Sequence, residues 1–190
     1  MNWILASGSP RRRELLEMLG VPNLTIRPAK GPERATPGAG PEQTVRELAL
    51  HKAQEVAQTC APEDIVIAAD TIVYLDGAIL GKPKDTADAA RMLAALSGRE
   101  HTVYTGVAVL RGGEMRQAAE HTAVRFRTLT PEEIARYIAT GEPMDKAGAY
   151  GIQGRGALFV AHLDGDYFNV MGLPLCRLGQ LLNELGVELL

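Results

Sequence analysis

Four short strings hold the residue types that could do chemistry. Ser7-Gly8-Ser9-Pro10-Arg11-Arg12-Arg13 joins small residues to three consecutive arginines. The apolar run Trp3-Ile4-Leu5-Ala6 feeds it, Ser9 suits an N-cap and Pro10 suits a first helical position. A helix start offers backbone N–H groups and the positive end of its dipole to an anion, and arginines add bidentate phosphate donors. Cations in a first turn oppose the dipole by ~0.3–1 kcal/mol each. A phosphate ligand would explain three of them; a solvated basic turn is the plainer alternative. The spacing is neither that of a Walker loop nor of a dinucleotide-binding glycine fingerprint.

Asp70-Thr71 closes a second apolar run at 65–69, where α/β proteins gather ligands at strand ends. Gly81-Lys82-Pro83 constrains the backbone of a lysine and could aim its ammonium at phosphate. Gly148-Ala149-Tyr150-Gly151-Ile152-Gln153-Gly154-Arg155-Gly156 places four glycines in nine residues, a pattern that suits a sharp turn or a close approach to a ligand, a flexible surface loop being the plainer alternative. His51, His101, His121 and His162 lack metal-ligand spacing and read as surface or strand residues. Cys60 and Cys176 are too few for a disulfide framework and are expected to be buried free thiols. Together these strings suggest a phosphate-bearing ligand, a carboxylate and a divalent cation. They do not name a reaction.

The elements that must position these residues follow from periodicity and punctuation. Helices are expected at 10–19, stopped by Gly20, and at 43–59, with Val45, Leu48, Ala49, Ala53 and Val56 on one face. Others are expected from Asp85 to Leu96, from the Thr130-Pro131-Glu132-Glu133 capping box to about Ala139, and after Pro174. Strands are expected at 3–6, 65–69, 101–110, 116–128 and 158–160, with hairpins at Asp76-Gly77 and Arg111-Gly112-Gly113. Residues 28–41 and 141–157 read as loops. Strands alternating with helices, plus hairpins, predict an α/β fold with a mixed sheet, one domain over 1–190 in two lobes.

Composition agrees with that fold. The chain has 190 residues, 46% apolar and 23% charged, with mean hydropathy −0.05. A domain of this size buries roughly 70% of its unfolded surface, enough for a core without disulfides. Net charge −3 argues against a general nucleic-acid binder. No apolar run approaches the ~18 residues of a membrane span, and the first residues lack the order of a signal peptide, so a cytoplasmic protein is expected.

The strings Leu5-Ala6-Ser7-Gly8-Ser9-Pro10-Arg11-Arg12-Arg13, Ala69-Asp70-Thr71, Gly81-Lys82-Pro83, Leu96-Ser97-Gly98, Glu142-Pro143-Met144-Asp145-Lys146-Ala147-Gly148-Ala149-Tyr150-Gly151-Ile152-Gln153-Gly154 and Gly172-Leu173-Pro174 resemble, in order, those of the Maf family. The resemblance implies a nucleoside triphosphate pyrophosphatase on a twisted mixed sheet flanked by helices. It also implies an inosine-triphosphatase-like architecture with a central cleft between two lobes. Arg11, Thr71 and Gln153 are similar to the branch acting on dTTP and UTP. Asp70 matches the catalytic carboxylate, and Ser7, Arg12, Lys52 and Lys82 match positions associated with the triphosphate. Glu33 matches an acidic position of the first long loop, where the family has paired acids and this chain reads Lys30-Gly31-Pro32-Glu33-Arg34. Asp70 and Glu33 are the expected ligands of Mg²⁺ or Mn²⁺, and Asp70 would orient a water polarised by that ion. A homodimer is also implied. Two other readings stay open: a nucleotide-binding regulator of septum formation without turnover, and a pyrophosphatase acting on a modified guanine nucleotide.

Overall fold

The computed structural model describes residues 1–190. Strand β1 (Trp3–Leu5) leads into α1 (Pro10–Met18), then β2 (Leu24–Ile26) and α2 (Pro41–Ala57). Strand β3 (Ile65–Leu75) turns through Asp76-Gly77 into β4 (Ala78–Leu80), followed by α3 (Thr86–Leu96). The long strands β5 (Glu100–Arg111) and β6 (Glu114–Phe126) precede α4 (Pro131–Ile138). Three short 3-10 turns lie between 142 and 159, and β7 (Val160–Asp164), α5 (Tyr167–Met171) and α6 (Leu175–Glu184) complete the chain. No helix is long and apolar enough to cross a membrane.

Punctuation residues act as their chemistry dictates. Asp85 Oδ1 accepts from the Asp88 N–H at 2.8 Å and caps α3. The Thr130–Glu133 capping box at α4 is reciprocal. Ser9 occupies the N-cap of α1 but makes no side-chain cap bond. Its own N–H instead donates to Ser7 Oγ at 3.2 Å.

The sheet has seven strands, ordered β2-β1-β3-β5-β6-β7, with β4 paired to β3. Parallel β1–β2 and β1–β3 ladders beside antiparallel β3–β4 and β6–β7 ladders make it mixed. Three expectations need correction. The strand expected at 158–160 begins only at Val160, because Leu158 and Phe159 belong to the 3-10 turn Gly154–Phe159. β3 does not stop at Asp70-Thr71: Ile72 and Val73 follow with no turn residue, so the chain stays extended to Leu75. The thiols are free but not buried, since Cys60 is half-buried and Cys176 exposed, Cys176 lying on the outer face of α6.

The chain divides into two compact units. The first comprises Met1–Asp70, Thr105–Glu120 and Gly172–Leu190; the second comprises Thr71–Tyr104 and His121–Met171. In the first, Ala49, Ala53 and Val56 of α2 pack on Ile4, Ala6, Val66, Ala68 and Ala108. These small side chains let helix and sheet backbones meet. A Cβ on Gly106 of β5 would stand 2.1 Å from the Val45 carbonyl oxygen of α2, far inside van der Waals contact.

The second unit has an aromatic centre. Phe126 meets Tyr150 and His101 edge-to-face at 4.7 and 5.0 Å, and Tyr137 meets Phe159 at 4.9 Å. His101 is buried; its Nε2 shares a 2.7 Å hydrogen bond with the Tyr150 hydroxyl, while Nδ1 has no partner. Burial pushes the His101 pKa down to about 4.

Two outcomes follow. Gly106→Ala is expected to destabilise the protein by about 3 kcal/mol or more, read as a lower urea midpoint, because backbone and not a flexible side chain opposes the new methyl. As pH falls from about 6.5 to about 4, the unfolded chain takes up the His101 proton before the folded one does, so stability is lost across that window. The stability difference between the parent and His101→Gln should shift against the parent by roughly 3 kcal/mol over that range. A pH-independent difference would refute it.

Candidate active site

The turn between β1 and α1 places Ser7 and Arg12 together. Arg12 Nη1 donates to Ser7 Oγ at 3.0 Å, and Nε donates to the Gly172 carbonyl at 2.7 Å. Ser7 is buried, and its oxygen receives both this bond and the Ser9 N–H. The Ser7 O–H proton is left to donate elsewhere. Desolvation lowers the Arg12 pKa, with the charge of Asp70 acting against it. An arginine nevertheless stays protonated, so the turn presents a fixed, partly dehydrated cation.

Asp70 lies on β3 at the same pleat as Val66 and Ala68, the face covered by α2. From α2, Lys52 Nζ reaches Asp70 Oδ1 at 2.5 Å and Glu33 Oε1 at 2.7 Å. The three side chains differ in exposure: Asp70 11%, Lys52 21% and Glu33 63%. One ammonium therefore holds two carboxylates at the edge of solvent, and the Arg12 guanidinium feels the charge of both.

Glu33 is held there by α2 as well. Glu55 accepts from the Lys30 and Gly31 N–H groups at 2.7 and 3.0 Å, and Glu47 accepts from the Thr36 N–H at 2.7 Å. Positions 47, 52 and 55 of one helix thus fasten a loop that has no secondary structure of its own. Two carboxylates converging on one cation form an oxygen-donor pair of the kind Mg²⁺ or Mn²⁺ uses. No group of three or more metal-ligating side chains occurs, so such an ion would take further ligands from phosphate oxygens and water. The donor set fits.

The second unit holds Thr71, Lys82 and Gln153. Thr71 shares a strand face with Val73, whose side chain would lie 2.8–3.1 Å from a Cβ on Gly148. Gly148 also has φ +67, so both space and backbone conformation require glycine. Its N–H donates to the Gly81 carbonyl at 3.0 Å, tying the glycine-dense segment to the turn that carries Lys82. Lys82 is exposed and Gln153 half-buried. Arg11, half-buried, follows Pro10 in the first turn of α1.

Of the expected residues, the geometry joins Ser7 to Arg12 and Lys52 to Asp70 and Glu33, all within the first unit. Sequence reasoning passed over Glu47 and Glu55, which read as solvated helix acids, and the Gly172 carbonyl, 160 residues from Arg12. It also gave no role to Glu142 and Tyr137, although Glu142 opens one of the strings that carried the family resemblance.

A dTTP/UTP pyrophosphatase of Moorella thermoacetica is 55% identical over 187 residues, covering 97% of this chain and 95% of that protein. One from Bacillus cytotoxicus is 53% identical over 177 residues, covering 93% and 92%. Among solved structures, a Staphylococcus aureus Ham1 protein aligns with TM-score 0.48 and 15% identity, covering 66% of this chain and 72% of that one. Residues 2–185 match the family described as Maf-like protein. With a match of that extent and relatives above half identity, the chain belongs to the Maf-like family.

Proposed function

We propose that this chain is a dTTP/UTP pyrophosphatase, hydrolysing the bond between the α and β phosphates to release a monophosphate and pyrophosphate. The observation that carries the reading is the placement of Asp70, a nearly buried carboxylate facing Lys52 with the Arg12 guanidinium close enough to be felt. Relatives named dTTP/UTP pyrophosphatase, at about half identity over almost the whole chain, support the substrate class.

The chemistry needs a water delivered in line to the α phosphorus and compensation of the charge gathering on the departing pyrophosphate. Asp70 accepts a hydrogen bond from the attacking water and fixes its line of approach. Lys52, Arg12 and Lys82 bind the β and γ phosphates, with the Ser7 hydroxyl donating one more hydrogen bond. Lys52 exchanges its carboxylate partners for phosphate oxygens, its three donors suiting either. A divalent cation held by Asp70 and Glu33 would neutralise triphosphate charge and acidify a bound water. Arg11 and Thr71 contribute to substrate choice. The Gln153 amide, with a donor and an acceptor side by side, matches N3–H and a neighbouring carbonyl of uracil or thymine. Accepting both bases only requires tolerance of one methyl, a discrimination of ~1–3 kcal/mol that a site need not use.

Incubation of the purified protein with each nucleoside triphosphate and Mg²⁺ or Mn²⁺ should yield monophosphate and pyrophosphate, fastest with UTP and dTTP. Diphosphate and inorganic phosphate as products would overturn the reading, and binding without turnover would favour a nucleotide sensor. Asp70→Asn should lower the rate by about 100-fold or more while nucleotide binding persists. Gln153→Glu should lower kcat/KM for UTP and dTTP by roughly 10–200-fold; an unaltered substrate profile would remove its selecting role.

A further inference from the structure

Gln153 stands in a short span whose two limbs are tied to one pair of side chains that the proposed chemistry leaves unused. Glu142 Oε1 accepts from the Tyr137 hydroxyl at 2.9 Å and from the Gly156 N–H at 3.1 Å, while Oε2 accepts from the Arg155 N–H at 3.1 Å. The Tyr137 oxygen in turn accepts from the Gly151 N–H at 3.2 Å. Backbone before Gln153 and backbone after it are therefore fastened to the same carboxylate–phenol pair.

The anchor is itself fixed. Tyr137 projects from α4, is buried and packs on Phe159. Lys146 Nζ donates to the Glu142 carbonyl at 2.7 Å and to Asp145 Oδ1 at 2.6 Å. The limbs also touch: a Cβ on Gly156 would lie 2.3 Å from the Gly151 carbonyl oxygen and 2.7 Å from the Tyr137 hydroxyl. Burial alone would raise the Glu142 pKa, but the two peptide N–H bonds, the phenol and Lys146 hold it below its ordinary value. Its contacts are thus charge-assisted.

An amide side chain that turns over presents donor and acceptor in reversed order, which suits the edge of cytosine as well as the original order suits uracil. That rotation is about the terminal side-chain bond, and what favours one orientation is the set of groups the amide meets, so selection by Gln153 needs a backbone that holds it against them. We propose that Glu142 and Tyr137 are positioning residues for base choice: they lock the 151–156 span so that Gln153 meets the pyrimidine edge in one orientation. This rests on the reading of Gln153 as the base-selecting residue.

The test compares UTP with CTP in the full-length protein. Glu142→Gln turns one acceptor into a donor that faces peptide N–H groups. It should lower the UTP-to-CTP ratio of kcat/KM by about tenfold, through KM more than kcat. Tyr137→Phe keeps the ring in the core, frees the Gly151 N–H and should move the ratio in the same direction. In a Gln153→Ala background, where no amide remains to orient, Glu142→Gln should leave the ratio unchanged. An unchanged ratio in both single variants would overturn the proposal, as would equal losses for both nucleotides or a full additional loss on top of Gln153→Ala. If Glu142→Gln does not fold, Tyr137→Phe decides. A parent enzyme with no preference for UTP over CTP would remove the selecting role of Gln153, and the proposal with it.

Discussion

A carboxylate with little access to water needs a cation or hydrogen-bond donors to offset its lost hydration, and for Asp70 a lysine of α2 supplies both. The position of α2 is therefore the constraint on which the first unit depends. Alanines at 49 and 53 and the bare backbone at Gly106 let the helix lie directly on the sheet. At that separation a lysine stem spans from helix to strand. A larger residue in the interface would lift the helix and carry the ammonium away from Asp70. The packing of small side chains and the electrostatics of the site are thus one arrangement.

The second unit reaches rigidity by another route. Its glycine-dense segment has no regular ladder of its own, only short 3-10 turns. Order comes from Glu142 and Tyr137, whose side chains accept from its backbone, and from Tyr150, whose buried hydroxyl is bonded to His101. An aromatic core supplies the fixed surface against which such a segment can be held, since rings lose little conformational freedom on burial compared with long aliphatic chains. Four neighbouring glycines do not imply a mobile loop when the N–H groups of Gly148, Gly151 and Gly156 are taken.

Local signals made much of this legible. Capping residues at Asp85 and Thr130, the Asp76-Gly77 and Gly112-Gly113 turns, and the apolar stripes of α2 and α6 all place elements that the fold contains. β2 and α5 were not legible, being three and five residues long and too short for a period to show. The extension of β3 past Asp70 was missed because a carboxylate looks like a strand end when its partner lies 18 residues away. The same holds for the site. Ser7, Arg12 and Asp70 stand in local contexts that suggest their chemistry, whereas Lys52 sits on a helix where it reads as a solvated lysine. Only the fold brings it to two acids.

The first long loop is gripped by Glu47 and Glu55 largely through its peptide N–H groups, the Thr36 hydroxyl and the Glu33 carboxylate being the side chains that also engage α2. Peptide groups are the same whatever letters are written along the chain. Between those grips the loop is therefore free to drift in composition while keeping its course. The strap stays fastened at Glu47 and Glu55 even where no second acid stands beside Glu33. Among related chains, this stretch should be the one where alignment of letters says least and the two helix carboxylates say most.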